Sequence, residues 1–210
     1  MPALSSPVVL VIMGVSGAGK TTIGRLLAER LGWPFEEGDS LHPAANVEKM
    51  SEGIPLTDED RWPWLAKVAD WIDNRLDTGE NGIVTCSALK RSYRNVLNRR
   101  GSGVEFVYLA VDTAELAERV EHREDHFMPA SLLTSQLDTL EVPTAAEPAI
   151  QVDADPDARL VVDRILRDLD LTTKTVRLAT TTKPVKPSAP SEAAPKPPRK
   201  RRPASPRQTR

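Results

Sequence analysis

The stretch "VVLVIMGVSGAGKTTIGRLLAERLG", residues 8–32, decides the fold. Val8 to Met13 form an unbroken apolar run of strand length. A strand without polar alternation is buried on both faces, which is the habit of parallel sheets. The run breaks at "GVSGAGKT", which matches G-x-x-x-x-G-K-[ST] with Gly14, Gly19, Lys20 and Thr21 in place. A helix pattern follows, with Ile23, Leu26, Leu27 and Leu31 on one face and Gly32 as its stop. Strand, glycine turn and helix together give the motif its physical meaning. Glycines let backbone N–H groups turn inward onto phosphate oxygens, and the helix N-terminus adds positive partial charge. Gly14, Val15, Ser16, Gly17, Ala18, Gly19, Lys20, Thr21 and Thr22 are therefore the expected nucleotide-binding residues. Lys20 is expected at the β- and γ-phosphates and the Thr21 hydroxyl on Mg²⁺.

Outward from that stretch the pattern repeats. Short apolar strands are expected around Phe35 and over residues 82–88, 104–111 and 149–154. Between and after them lie helix patterns over residues 44–50, 57–76, 92–100, 112–123, 129–140 and 155–169. In the longest, Trp64, Leu65, Val68, Ile72 and Leu76 share a face. Thr57 reads as its cap, and Pro63 either starts its main part or kinks it. Asp112 with Glu115 reads as a capping box, and Pro129 as a first helical residue. Alternation of this kind predicts an α/β fold, a three-layer sandwich around a mostly five-stranded parallel sheet. Ligands in such folds sit at the carboxyl ends of strands. The loops after Met13, Phe35, Cys86 and Val111 are thus the ones to watch.

Bulk composition fits a globular body with an extension. The 210 residues are 40% apolar and 28% charged, enough for a real core. No run approaches the roughly 18 apolar residues of a membrane span, and "MPALSSP" has no signal-peptide character. A single cysteine, Cys86, excludes an intrachain disulfide framework and implies a reduced, cytoplasmic setting. The net charge of −2 conceals a division. Residues 172–210 hold eleven Lys and Arg against one Glu; residues 1–171 hold seventeen against twenty-nine acids. The expected organisation is one catalytic domain, 1–171, followed by a disordered, basic, proline-rich tail, 172–210. The tail is the one hint of nucleic acid.

A phosphate-binding loop also serves switches and motors. The base-reading N-K-x-D of a guanine-nucleotide switch is absent, and the third strand runs into "VTCSALK" with no carboxylate. These absences favour a small kinase, in which a second substrate receives the phosphoryl group. Its acceptor side should lie in "FEEGDSLHPAANVEKMSEGIPLTDEDRWPWL", residues 35–65. Asp39 follows the second strand and faces the cleft, where a carboxylate can take the proton of an attacking hydroxyl or hold a Mg²⁺ water. His42, Lys49, Arg61 and, after the third strand, Lys90 with its neighbour Arg91 can offer charge or hydrogen bonds to an anionic, hydroxylated substrate. Asp58, Glu59 and Asp60 read as helix N-terminal charges rather than catalysts. Arg119 and Arg123 share one helical face and can neutralise charge on the transferred group; the competing reading is a solvated charged helix.

The strings "GDSLHP", "NVEKM", "GIPLTDEDRWPWL", "CSALKRSYR", "HFMP" and "LLTSQLDTLE" occur in order between residues 38 and 141, within a similarity that covers residues 8–170. In these the chain resembles the small phosphate-loop gluconokinases, relatives of shikimate and nucleoside-monophosphate kinases. The resemblance implies a P-loop kinase fold with a mobile lid and transfer of the ATP γ-phosphoryl group to the 6-hydroxyl of D-gluconate. It implies Lys20, Asp39, Arg119 and Arg123 as catalytic residues, Asp39, His42, Lys49, Arg61 and Lys90 as gluconate contacts, and Thr21 and Asp39 on the Mg²⁺ side. It also suggests a homodimer. Two departures stand out. Glu124 and Asp125 replace a basic and a small residue at the lid, and Glu37 replaces the first aspartate of the family's "DGD". A related kinase for another hydroxy acid or a nucleotide is the nearest alternative. A binding protein acting through its basic tail is the more distant one.

Overall fold

The computed structural model describes residues 6–112, 116 and 130–171. Five strands, β1 (Val9–Met13), β2 (Phe35–Glu36), β3 (Gly82–Thr85), β4 (Val104–Ala110) and β5 (Ala149–Asp153), form one sheet in the order β2-β3-β1-β4-β5. Every neighbouring pair is parallel, with Val11 beside Val84 on one side and Phe106 on the other. The expected five-stranded parallel sheet is therefore present.

Helices α1 (Lys20–Leu31), α2 (Ala44–Ser51), α3 (Asp58–Asp77), α4 (Arg91–Leu97), α5 (Ala130–Thr139) and α6 (Ala158–Asp168) join and follow these strands. Strand order fixes their layers. The step from β1 to β2 runs one way along the sheet, and the steps β2 to β3 and β3 to β4 run the other. Right-handed crossovers then put α1 on one face and α3 and α4 on the opposite face. Packing agrees: α1 lies against α6, and α3 against α4. All of β1 and β3 is buried between these layers, with Leu27 below and Trp64, Leu65, Val68 and Ile72 above. Each such side chain contributes about 1.5–3 kcal/mol through burial.

The structure adjusts several boundaries. β3 ends at Thr85 rather than near residue 88. Cys86 still donates its N–H to Ile12, but Ala88, fully buried, turns the chain with φ of 46°. Helix α3 starts from a Thr57 cap, as expected, and runs unbroken through Pro63. A four-residue 3-10 turn, Gly38–Leu41, follows β2; it is too short for any periodicity to announce. Of the helix anticipated over 112–123, only Asp112 and Leu116 are among the described residues, and Leu116 N–H donates to the Asp112 carbonyl at 2.9 Å. Pro129 and the tail from residue 172 also lie outside them.

Candidate active site

Carboxyl ends of β1, β2 and β3 come together at one end of the sheet, and the site is built on the loops that leave them. After β1, the glycine turn wraps toward the N-terminus of α1. Gly19 caps that helix with φ of 90°, a left-handed conformation that a side chain would strain. Lys20 folds back over the loop and donates from Nζ to the Val15 carbonyl at 3.0 Å. Two outside groups prop the loop. Ser87 accepts from the Gly14 N–H at 3.3 Å, and Gln136 Oε1 of α5 accepts from the Ser16 N–H at 2.8 Å.

After β2, the 3-10 turn presents Asp39. Gly38 passes so close to β3 that a Cβ would stand 1.9 Å from the Thr85 carbonyl oxygen, so only glycine fits. Its N–H donates to Thr85 Oγ1 at 3.0 Å, its carbonyl accepts from Trp64 Nε1 at 2.7 Å, and the Thr85 hydroxyl donates to Glu37 Oε1. This pins the turn to both β3 and α3. Glu37 Oε2 is buried and has no hydrogen-bond partner among the described residues. Asp39 itself is exposed, and its carboxylate makes no hydrogen bond among the described residues.

His42 lies just beyond, its ring stacked on Trp64 at 4.1 Å between centroids and 16° between planes. Burial pushes its imidazole down to about 4, against the opposing pull of Asp39, so it is neutral near pH 7. The expectation that His42 offers either charge or hydrogen bonds thus narrows to hydrogen bonds. Arg61 donates from Nε to the Leu56 carbonyl at 3.4 Å, lies over the Tyr93 ring at 5.8 Å, and makes no ion pair among the described residues.

One pocket gathers these pieces. Ser16 and Lys20 line it from the phosphate loop, Asp39, His42 and Arg61 from the acceptor side, and Ser87 from the loop after β3. Met50, Pro55, Leu56 and α5 residues Leu132, Ser135 and Gln136 complete the wall. Of these, Gln136 and Ser87 lie in strings whose resemblance was legible, yet neither carried a residue-level signal.

Lys49 and Lys90 are placed differently. Lys49 Nζ sits 2.7 Å from Asp60 Oδ1, and Lys90 Nζ 2.8 Å from Asp58 Oδ1. Neither lines the pocket. Asp58 also accepts from Tyr93 at 2.5 Å, and the hydrogen bonds from Lys90 and Tyr93 hold its carboxyl below the usual aspartate range. Asp60 closes a capping box with Thr57 while binding Lys49. Asp58, Glu59 and Asp60 do stand in the first turn of α3, and two of them, Asp58 and Asp60, are also the anchors of lysines. Arg119, Arg123, Glu124 and Asp125 lie outside the described residues.

Beneath the site, Arg94 is almost wholly buried and pairs with Glu147 at 2.5 Å. Its Nη1 donates to the carbonyls of Ala88, Leu89 and Glu141. One guanidinium thus satisfies the strained loop after β3 and fastens it to the segment that follows α5. Cys86 is fully buried there, its thiol pushed up to about 12 by burial, and is no nucleophile.

A phosphate cradle facing a polar acceptor pocket is the layout of a small-molecule kinase, and the comparisons specify which family. The shikimate kinase family profile matches residues 16–170. The gluconokinase of Gluconobacter oxydans is 55% identical over 161 residues, spanning 77% of this chain and 90% of that protein. The chain belongs to the gluconokinases of the shikimate kinase family. The thermosensitive gluconokinase of Escherichia coli is 43% identical over 155 residues, 73% of this chain and 83% of that one. A gluconokinase structure from Sinorhizobium meliloti superposes with a TM-score of 0.71 at 46% identity, covering 83% of this chain and 98% of that chain. The fold follows the gluconokinase pattern, and the phosphate loop, "GDSLHP" and "CSALKR" all fall at its pocket.

Proposed function

We propose that the chain transfers the γ-phosphoryl group of ATP to the 6-hydroxyl of D-gluconate, giving 6-phospho-D-gluconate and ADP. The observation that carries this reading is the pocket shared by Ser16 and Lys20 with Asp39, His42 and Arg61. Donor cradle and acceptor groups face the same space, as in-line transfer requires. The gluconate 6-oxygen bonds to the γ-phosphorus as the bond to the β,γ-bridging oxygen breaks, and ADP leaves with that electron pair. Asp39, exposed and without a hydrogen-bond partner among the described residues, takes the proton of the attacking hydroxyl. Lys20 meets the charge on the β- and γ-phosphates. Arg61 attracts the gluconate carboxylate, and His42 hydrogen-bonds to the polyol.

Magnesium fits the residues present. The Thr21 hydroxyl and Asp39 would hold it or its waters, and the buried Glu37 Oε2, unpartnered among the described residues, is a further oxygen suited to a cation's water. When bound it neutralises phosphate charge. Arg119 and Arg123, outside the described residues, are kept in the same reading as catalytic residues on the family resemblance. Lys49 and Lys90, bound to Asp60 and Asp58, set the start of α3 from which Arg61 projects. We place the reaction in the cytoplasm and count the basic tail as non-catalytic. The homodimer is carried on the family resemblance alone.

ADP release measured against gluconate, shikimate and nucleoside monophosphates tests the assignment. Gluconate should support turnover at least about a hundredfold faster than the others, judged by kcat/KM. Preference for any other acceptor overturns it.

A further inference from the structure

Asn46 is buried on α2, and the gluconate-kinase reading gives it no task. Its amide is placed by two contacts. Nδ2 stands 2.8 Å from the Asp60 carbonyl oxygen and 3.2 Å from His42 Nδ1. A carbonyl oxygen only accepts, so the amide nitrogen must face it, which fixes the orientation of the group. The second hydrogen of that nitrogen then points at His42 Nδ1. An imidazole N–H at Nδ1 would meet an N–H₂ head-on, so Nδ1 must be the accepting nitrogen and the proton must sit on Nε2. Trp64 holds the ring by stacking, and the Gly38 carbonyl holds Trp64. Nε2 makes no hydrogen bond among the described residues, and the residue lines the pocket.

We propose that Asn46 is a positioning residue that locks His42 as the neutral Nε2–H tautomer, so that the ring serves the sugar acid as a hydrogen-bond donor to one of its oxygens. This rests on the proposed reaction and deepens it. His42 is then neither the base nor a cation of the site. Its accepting nitrogen is occupied, which leaves Asp39 as the proton acceptor. A hydroxyl or carboxylate oxygen meets an N–H held in place before it arrives, whereas an acceptor lacking an oxygen at that position leaves the N–H unpaired. Discrimination among sugar acids follows from that asymmetry.

The test uses the full chain. Nitrogen-15 spectra of the histidine side chains report which ring nitrogen carries the proton. The chain has three histidines, His42, His122 and His126, and a His42→Gln variant identifies the His42 signals by their loss. The expected result at neutral pH is a proton on Nε2 alone. A proton on Nδ1 overturns the proposal. In kinetics, Asn46→Ala should raise KM for gluconate about tenfold, with KM for ATP and kcat each within about threefold. His42→Gln, which keeps a side-chain N–H, should raise KM less than His42→Leu. Equal losses in those two variants, or an unchanged gluconate KM in Asn46→Ala, would also overturn it. A wild-type chain that ignores gluconate sinks the proposed reaction instead, and the tautomer is still decided by the spectra. Should Asn46→Ala fail to fold, the wild-type spectra and the His42 pair decide.

Discussion

Trp64 donates its indole N–H to the carbonyl of Gly38, tying the buried face of α3 to the turn that carries Asp39. The same indole is the platform for His42. Replacement by phenylalanine removes the donor and leaves the Gly38 carbonyl unpaired in a buried place. That costs about 1–3 kcal/mol, and the smaller ring adds a cavity. Trp64→Phe should therefore lower the denaturation midpoint and raise KM for gluconate more than KM for ATP. Unchanged stability would show that the bond is not maintained in solution.

Lys20→Ala and Asp39→Asn separate the two halves of the chemistry. Each should reduce kcat at least about a hundredfold, the scale for losing one group that meets charge in the transition state. Calorimetry should find both variants folded, because neither side chain belongs to the core. Asp39→Asn should alter gluconate binding far less than turnover. A binding loss that accounts for the whole effect would argue against a proton-accepting role.

Arg94 and Glu147 make a testable pair. Both are almost fully buried, so removing one partner strands the other's charge, and Arg94→Leu should cost about 3–5 kcal/mol. Hydrogen bonding to Arg94 holds the Glu147 carboxyl below its ordinary value of 4.5. A carboxyl depressed in the folded state contributes stability that is full above the unfolded value and is lost as pH falls through the folded one. The wild-type chain should thus lose a component of stability as acidity rises past pH 4.5. Glu147→Gln should lack that component, starting lower at pH 7 and falling less steeply; parallel acid curves would disprove the linkage.

Arg61 and Lys90 should behave differently although both are cations near the acceptor side. Arg61 lines the pocket, and Lys90 is held by Asp58. Arg61→Met should raise the gluconate KM by about tenfold or more, the scale of one charge-assisted hydrogen bond. Lys90→Met should raise it by less than about threefold. The reverse order would return Lys90 to the list of substrate contacts.

Removal of residues 172–210 should leave kcat and both KM values within about twofold, because every residue assigned to the pocket precedes them. A large loss would give the tail a catalytic part.

Much of the fold was legible because its signals are local. The apolar run at Val8–Met13, the helix face of Ile23 and Leu27, and the Thr57 cap each depend on a few neighbouring residues. The site was legible in outline, since strand ends place Lys20, Asp39 and Arg61 near one another. Its wiring was not. Whether Lys49 and Lys90 meet substrate or the acids of α3 depends on how α2 and α4 approach that helix, which spacing along the chain does not encode. Asn46 and Gln136 fall inside strings that carry the resemblance, but their contacts gave no signal for the same reason. Their partners, the Asp60 carbonyl and the Ser16 N–H, are backbone groups invisible in a list of side chains. Glu37 drew attention as a departure, but its oxygen without a partner among the described residues emerges only from the packing against Thr85.

The phosphate loop is propped from both sides, by the Ser87 carbonyl at Gly14 and by the Gln136 amide at Ser16. Its shape is consequently set when the chain folds, and nucleotide binding need not freeze a floppy segment. A receptacle prepared in this way sheds little entropy on capture. It should admit stripped-down anions as well, so pyrophosphate and tripolyphosphate ought to compete with ATP although they carry no adenine at all.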